Sequence, residues 1–349
     1  TKAGPVWALL SIGAAVLPRH ARDAATAVSR AEEALAQAMR QPAGGFTLFT
    51  PSPSRLVETK ANARCAMAIM RGLKEQRLRL AFQPVVDARS GETAFHEALL
   101  RLEEAESGAA LDASRIIPVA EKLGLVRLVD QAMAEHVAEA LAAHPEARIS
   151  LNISGTTAAD PHCHPAILSA IAARPGAGGR LIVEITETVA LGDLGHTARF
   201  AGQLKELGAA IAIDDFGAGY TSFKNLRDLP VDMLKIDGSF CRSLPLETDT
   251  PHFTRALIGM AQALGVKTVA EWVETAADAT RLTEWGIDMM QGHLFGAADL
   301  PAPARGQALP PLAGTLAGFE AELAGEVTRL RAALSLLDGS FRARRRRAG

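Results

Sequence analysis

The sequence predicts an α/β protein whose main body is a closed (β/α)8 barrel, and three observations carry that prediction. First, five apolar runs (149–152, 181–184, 210–215, 233–237 and 267–271) close on Asn152, Glu184, Asp214-Asp215, Asp237 and Glu271. Short β-branched runs bounded by turn signals read as buried strands. Second, helix-like segments lie between most of these runs, and such alternation argues for a parallel sheet. Third, the alternation repeats so often between Leu78 and Phe295 that a closed barrel fits better than an open doubly wound sheet.

In chain order, residues 6–50 read as strand, helix, strand. The helix, over 21–40, is rich in Ala, Glu and Arg, and Gln41-Pro42-Ala43-Gly44-Gly45 stops it. Thr50-Pro51-Ser52-Pro53-Ser54 reads as a linker, followed by a helix over 55–76. Two further strands are expected over 80–86 and 94–100. Helices are expected over 116–123, 128–143, 166–173, 197–207, 253–264 and 276–285. After Pro301 a Pro/Ala/Gly stretch leads to a helix over 316–337, with Leu316, Phe319, Leu323, Val327, Leu330, Leu334 and Leu337 on one stripe. That stripe packs on its own domain or pairs as a short coiled coil of about three heptads. The arginine run 342–347 reads as a solvated tail. The organisation expected is 1–54 as a partial α+β segment with linker, 55–303 as the barrel, and 304–349 as a C-terminal helix with a basic tail.

Composition narrows the class. A chain of 349 residues with 48% hydrophobic content can bury a sizeable core, and a net charge of −2 gives no bulk affinity for DNA. Cys65, Cys163 and Cys241 fit neither a disulfide framework nor a zinc spacing, so a reducing, cytoplasmic compartment is expected. No apolar run is long enough for a transmembrane segment, and 6–17, interrupted by Ser11 and Gly13, reads as a strand rather than a signal sequence. The chain opens on Thr1 rather than Met, which is expected of a piece of a longer protein, in which any upstream sensor or membrane anchor would lie outside this sequence.

A buried strand tip is a costly place for an uncompensated charge. Repeating that choice strand after strand makes sense if the tips converge on something cationic. Glu97, Asn152, Glu184, Asp214 and Asp215 supply hard oxygens with no Cys or His among them, a set that suits Mg²⁺ or Mn²⁺ better than zinc. Lys235, between Leu234 and Ile236, needs an anionic partner, either a carboxylate or a substrate phosphate. Carboxylates, metals and one lysine together suit phosphoryl chemistry, in which two ions activate water and stabilise the departing alkoxide. A single Asp after a strand is more often a helix cap or turn residue; the repetition is what argues for a site. Asp160-Pro161-His162-Cys163-His164-Pro165 reads as a plain loop rather than a metal motif.

Glu97-Ala98-Leu99-Leu100-Arg101 resembles the signature of EAL-domain cyclic-di-GMP phosphodiesterases. The resemblance runs through Gln83-Pro84-Val85-Val86-Asp87, Leu151-Asn152-Ile153-Ser154, Val183-Glu184-Ile185-Thr186-Glu187 and Asp214-Asp215-Phe216-Gly217-Ala218-Gly219-Tyr220. It continues in Leu234-Lys235-Ile236-Asp237, Ala270-Glu271-Trp272-Val273-Glu274-Thr275 and Gln291-Gly292-His293-Leu294-Phe295. It implies a modified TIM barrel with one antiparallel strand that cleaves cyclic-di-GMP to 5′-pGpG with two Mg²⁺ or Mn²⁺ ions. By position, Glu97, Asn152, Glu184 and Asp214 would hold one ion, and Asp214 would bridge to a second that Asp215 also binds. Lys235 would orient the attacking water or stabilise phosphorane-like charge, and Glu271 would be a second-metal ligand or a proton acceptor. Glu187 would brace the 214–222 loop, while Gln83, Arg101, Glu274 and Gln291 would position the dinucleotide. The loop after Asp215 lies at a dimer contact in the family, so a homodimer is expected. Residues 1–50 resemble the last strand-helix-strand of a GGDEF domain without its signature, so no cyclase activity is implied.

The sequence departs from the family at Leu102, where Trp is usual, at Trp272 for Gly, at His293 for Tyr and at Gly238 for Arg. Trp272 either borders the pocket, narrowing it or stacking on a guanine, or packs on the outer face of the barrel. The alternative to an active phosphodiesterase is a non-catalytic cyclic-di-GMP receptor or a docking module of the same fold.

Overall fold

A computed structural model describes residues 10–40, 45–50, 53–103, 110–186, 194–217, 229–241 and 250–298. The chain divides into two compact units, Thr1–Asn62 and Ala63–Gly349, the division falling inside a helix Pro53–Lys74. In the first unit, β1 (Ser11–Ala14) and β2 (Gly45–Leu48) pair in parallel, with the helix Ala24–Ala38 between them in sequence. Asp23 caps that helix by accepting from the Thr26 amide at 2.8 Å, a contribution of about 1 kcal/mol.

The second unit is a closed barrel. Its strands are β3 (Leu78–Asp87), β4 (Thr93–Glu103), β6 (Ile149–Ile153), β7 (Leu181–Thr186), β8 (Ala210–Phe216), β9 (Met233–Ile236), β10 (Lys267–Ala270) and β11 (Met289–Gln291). The hydrogen-bonded order β3-β11-β10-β9-β8-β7-β6-β4 closes on itself through β3–β4, and a short β5 (Ala110–Asp112) extends β4. β3 runs antiparallel to both neighbours, and all the other barrel pairs are parallel. The reversal has a local cause. Only 88–92 separates β3 from β4, far too short for the crossover that parallel strands need. Asp87 Oδ1 accepts from the amides of Arg89 and Ser90 at 2.9 and 2.8 Å, and Gly91 takes a left-handed φ of 72° to complete the turn.

Helices Val126–Ala143, His164–Ala172, Leu194–Glu206, Thr250–Leu264 and Ala276–Glu284 follow the strands as the alternation predicts, with ends within a few residues of expectation. The main core lies outside the barrel, where Leu151, Val183, Ile211, Leu234 and Ala270 meet Val129, Phe200, Leu204, Ile258 and Leu282. A second, smaller cluster of Val85, Phe95, Ile182, Ala212, Met233, Val269 and Met289 fills the barrel interior. No helix among the described residues is long and apolar enough to cross a membrane. The expected helix over 316–337 and the arginine tail lie outside the described residues.

Candidate functional site

Side chains two residues apart on a strand share a face. The residues two steps beyond the interior apolar layer toward one mouth are Glu97, Glu184, Asp214, Lys235, Glu271 and Gln291. On reversed β3 the step runs backward, from Val85 to Gln83. Strand alternation thus lays a polar layer directly on an apolar one, and reversing β3 supplies its glutamine from the strand's N-terminal half.

Lys235 sits at the centre of that layer, 1% exposed. Its Nζ lies 2.7 Å from Glu271 Oε1, 2.8 Å from Glu184 Oε2, 3.0 Å from Asp214 Oδ1 and 3.4 Å from Glu97 Oε2. Of the two partner types open to this lysine, the structure supplies carboxylates. Burial works against its charge, but Asp214, Glu184, Glu271 and Glu97 outweigh that and hold the ammonium well above the ordinary lysine range. Two carboxamides fix Glu97: Asn152 Nδ2 donates to Oε1 at 2.7 Å and Gln291 Nε2 to Oε2 at 2.6 Å. Gln291 Nε2 also meets Gln83 Oε1 at 3.2 Å, and Gln83 Nε2 donates to the Gly296 carbonyl at 3.2 Å.

Two successive aspartates should point to opposite faces of a strand. They do not here, because the β8–β9 register slips between Ile213 and Phe216 and Asp215 takes a left-handed φ of 54°. A bulge of this kind re-aims side chains at a barrel rim. One carboxylate oxygen each of Asp214, Asp215 and Glu271 then falls within 4.8 Å of the others. Gly217, at φ 101°, completes the turn where a Cβ would stand 3.1 Å from the Phe240 ring.

Four carboxylates around one ammonium leave negative charge in excess, and the acids register it. Burial, with Glu97 and Asp214 adding to it and Lys235 opposing, pushes Glu184 up to about 8. Burial likewise raises Glu271 well above the ordinary range, against the pull of Lys235. Asp215 is raised by partial desolvation and by the charges of Asp214 and Asp237. Glu184 Oε1 and Gln291 Oε1 are buried without a hydrogen-bond partner among the described residues. Excess carboxylate, an orphaned buried oxygen and a donor set made only of oxygens fit a hard divalent cation.

Of the expected site residues, Gln83, Glu97, Asn152, Glu184, Asp214, Asp215, Lys235, Glu271 and Gln291 are brought together. Arg101 lies further along β4, its Nε 3.2 Å from Asp112 Oδ1 and its Nη1 2.9 Å from the Leu100 carbonyl, outside the lysine cluster. Glu274 is half-buried past the end of β10, and Glu187 lies outside the described residues. Asp237, which also ends a strand-like run, is a site neighbour that the sequence does not single out. It accepts from the Ser239 amide at 2.9 Å and adds its charge to the field at Asp215. In the 160–165 segment, His164 is buried, stacks on Phe200 with ring centroids 4.2 Å apart and contacts the Ala158 carbonyl. Trp272 is 57% exposed, so it is not packed into the core.

The family model for the EAL domain matches residues 66–298. The bifunctional diguanylate cyclase/cyclic di-GMP phosphodiesterase MucR of Pseudomonas aeruginosa is 30% identical over 295 residues, 82% of this chain and 42% of MucR. The cyclic di-GMP phosphodiesterase PdeR of Escherichia coli is 30% identical over 307 residues, 86% of this chain and 45% of PdeR. The chain therefore spans less than half the length of these relatives. Among solved structures, the MucR phosphodiesterase in its cyclic-di-GMP complex aligns with TM-score 0.60 and 31% identity, over 65% of this chain and 98% of that one. The FimX EAL domain of Pseudomonas aeruginosa bound to cyclic-di-GMP aligns with TM-score 0.61 and 25% identity, over 65% and 93%.

Proposed function

The chain belongs to the EAL-domain family, and on that premise we propose that its barrel hydrolyses cyclic-di-GMP to the linear dinucleotide 5′-pGpG. The observation that carries this reading is the buried Lys235 held by Glu97, Glu184, Asp214 and Glu271 at one mouth of the barrel. Glu97, Asn152, Glu184 and Asp214 would hold one Mg²⁺ or Mn²⁺, and Asp214, Asp215 and Glu271 a second. When bound, such ions supply an acidified water and neutralise charge on the phosphoryl group and the leaving oxygen.

The chain's own residues do the rest. Lys235 stays charged and limits repulsion among four carboxylates, and its ammonium offers positive charge to a phosphoryl oxygen entering the mouth. Glu271, 2.7 Å from Lys235 Nζ, has two roles open to it, ligand of the second ion or acceptor of the proton that the attacking water sheds. Asn152 and Gln291 hold Glu97 in one orientation through its two oxygens. Gln83, Gln291, Arg101 and Glu274 position the dinucleotide, Arg101 through the planar fork that suits a phosphate. Glu187 braces the 214–222 loop, and the functional unit is a homodimer, which a monomer mass in light scattering would refute.

The test is incubation with cyclic-di-GMP and Mg²⁺ or Mn²⁺. The linear dinucleotide should accumulate, EDTA should stop it, and Glu97→Ala should abolish it while cyclic-di-GMP still binds. Tight binding without turnover would instead make the chain a receptor, and absence of binding a docking module.

A further inference from the structure

Two of the residues at which the sequence departs from its family meet in space. Trp272 directly follows Glu271, and Gly238 directly follows Asp237, so both stand just past strand ends at the mouth that carries the lysine cluster. A Cβ on Gly238 would lie 2.5 Å from Trp272 Cγ and 2.6 Å from Cδ1. The root of the indole therefore occupies the volume that any side chain at 238 would need.

The placement works against the tryptophan in both ordinary respects. Its φ of 54° is left-handed, a conformation that disfavours a residue with a Cβ. The residue is 57% exposed, so more than half of its surface gains nothing from burial. Strain of this kind persists where the surroundings over-determine it, and it clusters at ligand sites. A large flat ring on the residue that follows Glu271, packed against Gly238 and open to solvent, matches one ligand class: a planar heteroaromatic base whose phosphate lies over the oxygen-lined pocket.

We propose that Trp272 is a stacking platform for one purine base of a cyclic dinucleotide, with Gly238 making room for the ring. This rests on the phosphodiesterase reading of the same mouth and adds to it how the base is held. Stacking of a base on an aromatic side chain is sequence-tolerant and, converted to affinity, amounts to about five- to hundredfold. It raises affinity without touching the reacting phosphate, so its loss falls on KM rather than kcat.

Trp272→Gly is the truncation to make, because glycine accepts the left-handed backbone and the variant is expected to fold. Trp272→Phe keeps a smaller ring. Two measurements run in parallel: initial rates with cyclic-di-GMP and Mn²⁺, and calorimetric binding of cyclic-di-GMP in EDTA. Trp272→Gly should raise KM and Kd about five- to hundredfold, with Trp272→Phe recovering most of the loss. Wild-type turnover with a Trp272→Gly KM within twofold overturns the platform alone. Wild-type binding without turnover overturns the hydrolysis reading while the Kd comparison still decides Trp272. A wild type that neither binds nor cuts overturns both.

Discussion

Lys235 Nζ and Glu184 Oε2 meet at 2.8 Å with both side chains sealed from solvent. An ion pair so deeply buried is weak evidence for stability, but breaking one half of it is expensive. Removing one partner of a buried pair costs about 3–5 kcal/mol, because the other charge stays buried and unmatched. Lys235→Met strands several carboxylates at once. The metal-free variant should therefore melt well below the wild type, by about 2–4 °C for each kcal/mol lost. Saturating Mg²⁺ or Mn²⁺ should narrow the gap in midpoint while turnover stays orders of magnitude down. Scanning calorimetry with and without metal, beside an activity assay, checks both; equal metal-free midpoints would mean that Lys235 does not hold the cluster together.

The same excess of charge predicts what metal does to wild-type stability. A cation that binds the folded pocket and not the unfolded chain stabilises by mass action, about 2.7 kcal/mol at a hundredfold excess over Kd. The midpoint should rise with Mn²⁺ concentration and fall back in EDTA. Glu184→Gln, which removes one carboxylate from the fully buried side of the cluster, should show a smaller rise at every concentration. A wild-type midpoint that ignores millimolar Mn²⁺ would rule out the metal reading of these oxygens.

Asp130 gives a pH test away from the metal pocket. It is buried in the helix Val126–Ala143 and accepts from the Ser154 hydroxyl at 2.6 Å and the Ser154 amide at 3.0 Å. Burial raises it from 3.8 to about 6 despite those hydrogen bonds. Because the folded value lies above the unfolded one, the native state keeps a proton that the unfolded chain has released. Its stabilising contribution is complete below pH 3.8 and is lost as pH rises through about 6. At about 1.4 kcal/mol for each pH unit, the loss approaches 3 kcal/mol at most. Asp130→Asn, which keeps an acceptor for Ser154 and carries no charge, should be more stable than wild type at pH 8. The advantage should vanish toward pH 4 in denaturant titrations across that range; an advantage that grows toward acid would contradict the assignment.

Parts of this architecture are legible in the sequence for definite physical reasons, and parts are not. The strand tips are visible because a buried strand of β-branched residues tolerates an acid only with a partner, and the tips at Asn152, Glu184, Asp214 and Glu271 do converge. β5 and β11, each three residues long, carry too little pattern to register as strands, and Met289-Met290-Gln291 lacks any β-branched residue. The reversal of β3 was available in the Asp87–Gly91 turn, whose short connection forbids a parallel neighbour. The bulge that turns Asp214 and Asp215 to one mouth belongs to the pairing of β8 with β9 and leaves no trace in local residue types. The sequence offers Lys235 two kinds of anionic partner, and only the closed barrel shows four carboxylates around it.

The contact between Trp272 and Gly238 makes a last prediction, one that concerns stability and needs no ligand. Replacing Gly238 by Ala places a methyl 2.5 Å from Trp272 Cγ. Because that atom is the root of a ring and not a flexible tip, something must shift, and overpacking of this kind costs about 1–3 kcal/mol. Trp272→Gly should be neutral or stabilising, since it removes the Cβ from a left-handed backbone at φ 54°. Trp272→Gly removes the three atoms nearest to a Cβ at 238, so adding Gly238→Ala there should cost only a few tenths of a kcal/mol. The double-mutant cycle should then give a coupling of about 1 kcal/mol or more, the size expected of residues in direct contact. Additive effects within about 0.3 kcal/mol would show that the two departures are independent, and that the indole does not hold the place of a side chain at 238.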